Sequence, residues 1–188
     1  MKMAFKKNKR GYFMRMPMGF TLIEMLMVMA IIVIMTGLVF AAYRTGQRRY
    51  TLNQAAQRLT ADLRKAQNMS ISGSGFSGSY SGYGIYAKIA DSSVSYILYG
   101  DKNGNKAYQP SDDILERTAL PEKVSIFSTS PSSGFDVFFI PPGPTTFING
   151  KSLNDAPVPG ATTITLRLGD GTASKIITVT PAGVISEH

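Results

Sequence analysis

The chain has 188 residues, enough for one membrane segment plus one domain with a modest core, and too few for two large domains. It contains no cysteine, which excludes disulfide frameworks and thiolate chemistry. The formal charge of +8 invites a nucleic-acid reading, but the surplus lies in the N-terminal part: from Gly73 onward 8 basic side chains stand against 10 acidic ones.

Residues 1–19 carry Lys2, Lys6, Lys7, Lys9, Arg10 and Arg15 with no acid, and Pro17 and Gly19 oppose helix near the end. An apolar run of 24 residues follows, Phe20 to Tyr43. As a helix rising 1.5 Å per residue it reaches roughly 36 Å, enough to cross a hydrocarbon core of about 30 Å. The basic leader outweighs Arg44, Arg48 and Arg49 on the far side, so the leader is expected in the cytoplasm and the rest of the chain outside. Glu24 is the sole charge in the run. A charge at the centre of a membrane helix costs about 2.5–3.5 kcal/mol, so such a residue calls for a partner or a short route to the headgroups.

Helical periodicity continues to Ser72, with Leu52, Ala55, Ala56, Leu59, Leu63 and Ala66 on one stripe and Gln54, Arg58, Asp62 and Lys65 opposite. No proline interrupts residues 20–72, which predicts one long helix, weakest at Thr36-Gly37 and stopped at Gly73. The Gly/Ser-rich stretch 73–84 reads as a loop. Beyond it GIYAKIA, SVSYILYG, EKVSIFS, GFDVFFI, TTITLRL and SKIITVT are β-type runs, punctuated by NG at 103–104, PPGP at 141–144 and DG at 170–171, the last predicting a tight hairpin. The expected fold class is α+β: a long N-terminal helix, transmembrane then amphipathic, packed on an antiparallel β domain of two small sheets. The expected segments are a leader at 1–19, the helix at 20–72 with its span at about 20–43, and the β domain at 73–188.

The block Gly19-Phe20-Thr21-Leu22-Ile23-Glu24, behind a basic leader and ahead of the apolar run, resembles the processing site of type IV prepilins and type II secretion pseudopilins. The resemblance implies a pilin-like fold, cleavage between Gly19 and Phe20 by a prepilin peptidase, and N-methylation of Phe20. It also implies a single-pass bacterial inner-membrane protein with a periplasmic domain, assembled by an inner-membrane platform among other pilin or pseudopilin subunits in a filament. In that family the acid at the position of Glu24 neutralises the new amine of a neighbouring subunit. Glu24 lies four residues after Phe20, on the same helix face, within reach of such an amine. Two plainer readings stand beside this one: a secreted protein cut at Val39-Phe40-Ala41, and a simple membrane anchor. The segment GDKNGNKAYQPSDDILERTALP, Gly100 to Pro121, is similar to a region of the GspH/FimT group of minor pilins and pseudopilins.

Asp101, Asn103, Asn105 and Asp112 occupy positions 1, 3, 5 and 12 of an EF-hand-like loop, a calcium alternative weakened by Lys106 where glycine is required and by aspartate in place of the bidentate glutamate. Asp and Asn are also the natural residues of a turn, and that reading is preferred, with no metal and no cofactor expected. Asp112, Asp113 and Glu116 read as a solvated face or as a patch for a neighbouring subunit. The single histidine, His188, supports no catalytic constellation, and no enzyme is expected. Nucleic acid is not the preferred partner either, because the C-terminal segment offers only Lys175, where DNA-binding members of the resembled group carry arginine; a membrane-tethered DNA- or ligand-binding minor pilin used in DNA uptake or adhesion stands as the alternative function. Arg44, Arg48, Arg49 and Arg58 read as a collar facing lipid headgroups or other subunits.

Overall fold

The computed structural model describes residues 19–72, 80–89, 94–130, 134–141 and 145–188, except for the side chains of residues 41, 42, 44 and 45. The basic leader before Gly19, residues 73–79 of the Gly/Ser stretch and most of PPGP lie outside the described residues, while the alternative cut at Val39-Phe40-Ala41 falls within helix. The chain is α+β, with one helix and two antiparallel sheets among the described residues. It divides into two compact units, residues 1–43 and Arg44–His188.

Helix α1 runs Leu22–Ser72. Its start falls two residues later than expected because Thr21 acts as the N-cap: its Oγ1 accepts a hydrogen bond from the Glu24 amide at 3.3 Å. In the first unit, the segment Leu22–Phe40 is long and apolar enough to cross a membrane, and every residue in it is exposed. Signal sequences near an N-terminus share that property. The hydroxyl of Thr36 within this segment donates to the Ile32 carbonyl at 2.7 Å, so the span carries its polar hydroxyl already satisfied.

In the second unit the helix is one wall of the core. Strands β1 (Tyr83–Lys88), β2 (Ser95–Gly100), β3 (Asp113–Ala119), β5 (Gly134–Ile140) and β6 (Thr145–Ile148) form a sheet in the order β3-β2-β1-β5-β6. Strands β4 (Val124–Ser130), β7 (Thr162–Leu168), β8 (Ser174–Val179) and β9 (Ile185–Glu187) form the second, in the order β4-β7-β8-β9. Leu52, Ala55, Ala56, Leu59, Leu63 and Ala66 are buried in one cluster with Tyr83, Ile85, Val137 and Phe139 of the first sheet and Ile126, Ile164, Leu166, Ile177 and Val179 of the second. The period-two alternation of β7, buried at every other residue from Thr162, is the strand counterpart of the helix stripe. Three strands escape the sequence reading: β3, β6 and β9. β3 is mostly solvated, β6 has only four residues and β9 only three.

The first sheet also has an apolar outer face. Tyr99, Phe138 and Phe147 cluster there with Tyr86, Tyr108 and Ile140. Gly84 makes room for it: a Cβ at that position would stand 2.7 Å from the Tyr99 ring. The turn at DG 170–171 joins β7 and β8 as the expected antiparallel hairpin, through the five residues Gly169 to Ala173. The Gly171 amide donates to Leu168 O at 2.8 Å, and Gly171 takes φ +72°, a conformation that suits glycine.

The buried stripe carries a stability prediction. Leu63→Ala leaves a cavity where both sheets meet α1 and is expected to lower unfolding free energy by about 3 kcal/mol, while exposed Arg64→Ala changes it by less than about 0.5 kcal/mol, both read by chemical denaturation of the detergent-solubilised chain.

Candidate functional site

Two groups of sequence-selected residues lie in different units. In the first, Gly19 is exposed outside the helix and a Cβ there would meet no atom within 4 Å. Phe20 is 78% exposed. Thr21 and Glu24 stand at the N-cap and third helical positions, the spacing of a capping box, and the Thr21 half of that box is formed. Glu24 therefore has a local reason for its position that the sequence reading missed: a carboxylate in the first turn is favoured by the helix dipole and by the free amides there. The signal was visible as Thr-x-x-Glu directly before the apolar run. The bond between Gly19 and Phe20 lies ahead of the cap, so both of its flanking residues are accessible and its cleavage leaves the Thr21 hydrogen bond in place.

In the second unit, Asp101, Asn103, Asn105 and Asp112 come together in the connection between β2 and β3, but their oxygens face backbone amides. Asp101 is fully buried. Its Oδ1 accepts from the amides of Asn103 and Gly104 at 3.0 and 2.9 Å, and its Oδ2 from the Lys106 amide at 3.0 Å and the Ser81 hydroxyl at 2.8 Å. Asn103 Oδ1 accepts from the Asn105 amide and Asn105 Oδ1 from the Ala107 amide, each at 3.0 Å, two successive Asx turns. Asp112 accepts from the amides of Lys102 and Gln109. Lys106 takes φ +67° at the position where a calcium loop uses glycine. Among the described residues no three acidic or histidine side chains are grouped to hold a metal ion.

Asp112, Asp113 and Glu116, read from sequence as a solvated face or a patch for a neighbouring subunit, are engaged within the chain. Asp112 is buried. Asp113 accepts from Lys102 Nζ and from the Tyr80 hydroxyl, each at 2.7 Å, and these bonds hold its carboxyl below the usual range. Glu116 pairs with Lys65 at 2.7 Å and Arg58 at 4.0 Å, which lowers its pKa as well. The expected arginine collar is thereby divided: Arg58 faces β3, Arg48 pairs with Asp170 at 2.7 Å, and the Arg44 side chain lies outside the described residues. Lys175 lies 3.5 Å from Glu187 in a pair across β8 and β9.

The group that sequence reasoning passed over is Asp136, in the middle of β5. It ties three segments together. Oδ1 accepts from the Tyr99 hydroxyl at 2.7 Å, Oδ2 from the Tyr108 amide at 2.7 Å, and its backbone exchanges hydrogen bonds with Asn149 beyond β6. Burial raises its pKa to about 6, against the lowering effect of those two donors and with the Asp112 and Asp101 charges adding to the rise. The Tyr99 hydroxyl is pushed up in turn, first by burial and then by the Asp136 charge. Nothing in the local pattern GFDVFFI distinguishes this aspartate from a solvated one; only the loop folded over it does.

No protein-family model, no curated protein and no solved structure matches this chain.

The sign of the Asp136 shift sets a pH dependence. Folding favours its neutral form, so its contribution is complete below the unfolded value of 3.8 and is lost as pH rises through about 6. Unfolding free energy is expected to rise by about 2 kcal/mol as pH falls from about 7 to about 4.5, and Asp136→Asn is expected to flatten that slope in a denaturant series. At lower pH the depressed carboxyls of Asp113, Glu116, Asp155 and Asp170 act in the opposite direction, because their stabilisation is lost on protonation.

Proposed function

We propose that the chain is a minor pilin or pseudopilin, a structural subunit of a type II secretion pseudopilus or type IV pilus. It is processed between Gly19 and Phe20, methylated at Phe20, and assembled through the apolar face of its N-terminal helix. The observation that carries this reading is the block Gly19 to Glu24 set at the mouth of an apolar helical segment whose residues are all exposed. Such a segment needs lipid before assembly and other apolar helices after it. The accessible Gly19-Phe20 bond and the folded β domain downstream support the same reading.

In this reading the precursor is a single-pass inner-membrane protein with its β domain on the periplasmic side. Its partners are prepilin peptidase, the inner-membrane assembly platform, membrane lipid and other pilin or pseudopilin subunits. Cleavage converts an amide nitrogen at Phe20 into an ammonium group next to the helix start. The Glu24 carboxylate, favoured in the first turn by the helix dipole, then serves the ammonium of the adjoining subunit. A charge relieved only by a correctly placed neighbour fixes axial register between apolar helices that could otherwise slide. Heterologous contacts that do not close extend such an arrangement into a filament. The two successive Asx turns and the internally paired Glu116 make the β domain a rigid displayed head, and its role is structural rather than catalytic.

Co-expression with a prepilin peptidase is expected to yield a product whose first residue, read by mass spectrometry, is methylated Phe20; a retained leader or a start near Ala42 refutes the assignment. Glu24→Ala is expected to leave cleavage intact and to reduce co-purification with sheared filaments at least about tenfold, the loss of an interaction worth roughly 1.4 kcal/mol or more.

A further inference from the structure

The second unit has a basic end. Arg48 Nη1 lies 2.7 Å from Asp170 Oδ2, and the Gly169 amide donates to Lys123 O at 2.8 Å, so the N-terminal helical turns of this unit, the turn before β4 and the β7–β8 turn meet. Arg48, Lys123, Leu168, Gly169 and Asp170 line one open groove of about 300 Å³. Arg167 belongs to the same place, since a Cβ on Gly171 would stand 2.8 Å from its guanidinium. Three cations, Arg48, Lys123 and Arg167, stand here beside one acid, Asp170. Beside them Phe127 is 54% exposed, with the Arg167 guanidinium carbon 4.1 Å from the centre of its ring.

We infer that this end of the domain is a docking surface for anionic phospholipid headgroups of the membrane that holds the apolar helix. The inference rests on the proposed membrane span and extends it to the folded domain. Three features favour lipid. The cation excess matches a surface of phosphates, each Lys or Arg near such a surface contributing about 1 kcal/mol. An exposed aromatic with a guanidinium on its face presents an apolar body and a charged head together, the pairing that suits an interface. Arg48 follows Phe40, the last residue of the span, by only eight positions, and eight residues reach at most about 28 Å even when fully extended. The patch is therefore tethered close to headgroups before any attraction acts, and docking adds little entropic cost. Before assembly, this contact holds the domain against the membrane and keeps the precursor in one orientation; extraction into a filament must break it.

The test uses the full chain in vesicles. The protein has no cysteine, so Ser174→Cys places one fluorophore beside the patch and Asn154→Cys one in the segment between β6 and β7, each read for quenching by a headgroup-spin-labelled lipid. In vesicles with about 30% phosphatidylglycerol the 174 label is expected to be quenched and the 154 label not. The contrast should collapse in pure phosphatidylcholine and at about 0.5 M salt, where screening is short-ranged. Lys123→Gln with Arg167→Gln is expected to reduce the docked-to-free ratio about thirty-fold, as two cations at about 1 kcal/mol each imply. Asp170→Asn, which removes an acid and frees Arg48, is expected to increase it. Equal quenching in both lipids, no effect of the paired substitution, or quenching that disappears as protein density rises because a second copy covers the patch would each overturn the inference. Flotation of the same samples separates the failures: a chain that floats with vesicles but shows no lipid-dependent quenching refutes docking alone, and one that does not float refutes the span beneath it as well.

Discussion

Neither sheet has enough partner surface to bury its inner face without the stripe from Leu52 to Ala66 on α1, and the stripe has no other place to go. Alanines at 55, 56 and 66 let the strands approach closely, while leucines at 52, 59 and 63 fill the space between the sheets. This one interface makes the helix and the β strands a single unit from Arg44 onward. It also explains why the charged face of the helix is spoken for: once the stripe is inward, Arg58 and Lys65 stand beside β3 and meet Glu116, and Asp62 accepts from the Tyr96 hydroxyl.

The outer face of the first sheet repeats the problem on a smaller scale. Tyr99 and Phe138 need a cover, and the connection from Asp101 to Asp112 supplies one through Tyr108, whose ring stacks on Tyr86 at 4.5 Å and meets Tyr99 edge-on at 5.3 Å. A loop held over an apolar face must satisfy its own amides there. Asp101, Asn103, Asn105 and Asp112 do so from within the loop, and Asp136 does so from the strand below. Residues that resemble ligands in spacing are thus the framework of a lid on an aromatic cluster. The cost of that framework is a buried carboxyl at Asp136 whose neutral form is favoured.

The two ends of the chain's chemistry answer to different solvents. Residues 22–40 are apolar apart from Glu24 in the first turn and Thr36, whose hydroxyl is bonded to its own backbone, and the segment is long and apolar enough to cross a membrane. In the domain that follows, β7 alternates in and out, as water on one side demands, whereas β2 and β5 are buried on both faces because the aromatic cluster and its loop cover the outer side of their sheet. Between them the arginines change role residue by residue. Arg58 serves the domain's interior edge, while Arg48 gathers with Lys123 and Arg167 where charge is left over.

By itself the sequence determined what periodicity and composition encode: the apolar run, the helix stripe with each member named, six of the strands and the processing-like block at Gly19. Local patterns suffice there because burial on a helix or strand imposes spacings of 3.6 and 2. The later helix start at Leu22 was legible in Thr-x-x-Glu, though only the cap geometry settled it. The residues of β3 carry no period-two pattern, and what makes it a strand is its pairing with β2 together with the Lys65 bridge from the helix to Glu116. The tertiary structure alone brought Asp136 under Tyr108, Glu116 to Lys65, and Lys123 and Arg167 to Arg48. Those pairings, with that of Arg48 to Asp170, join residues 28 to 122 positions apart, and no local pattern carries them, because long-range partners are chosen by the packing of whole elements rather than by their neighbours in the chain.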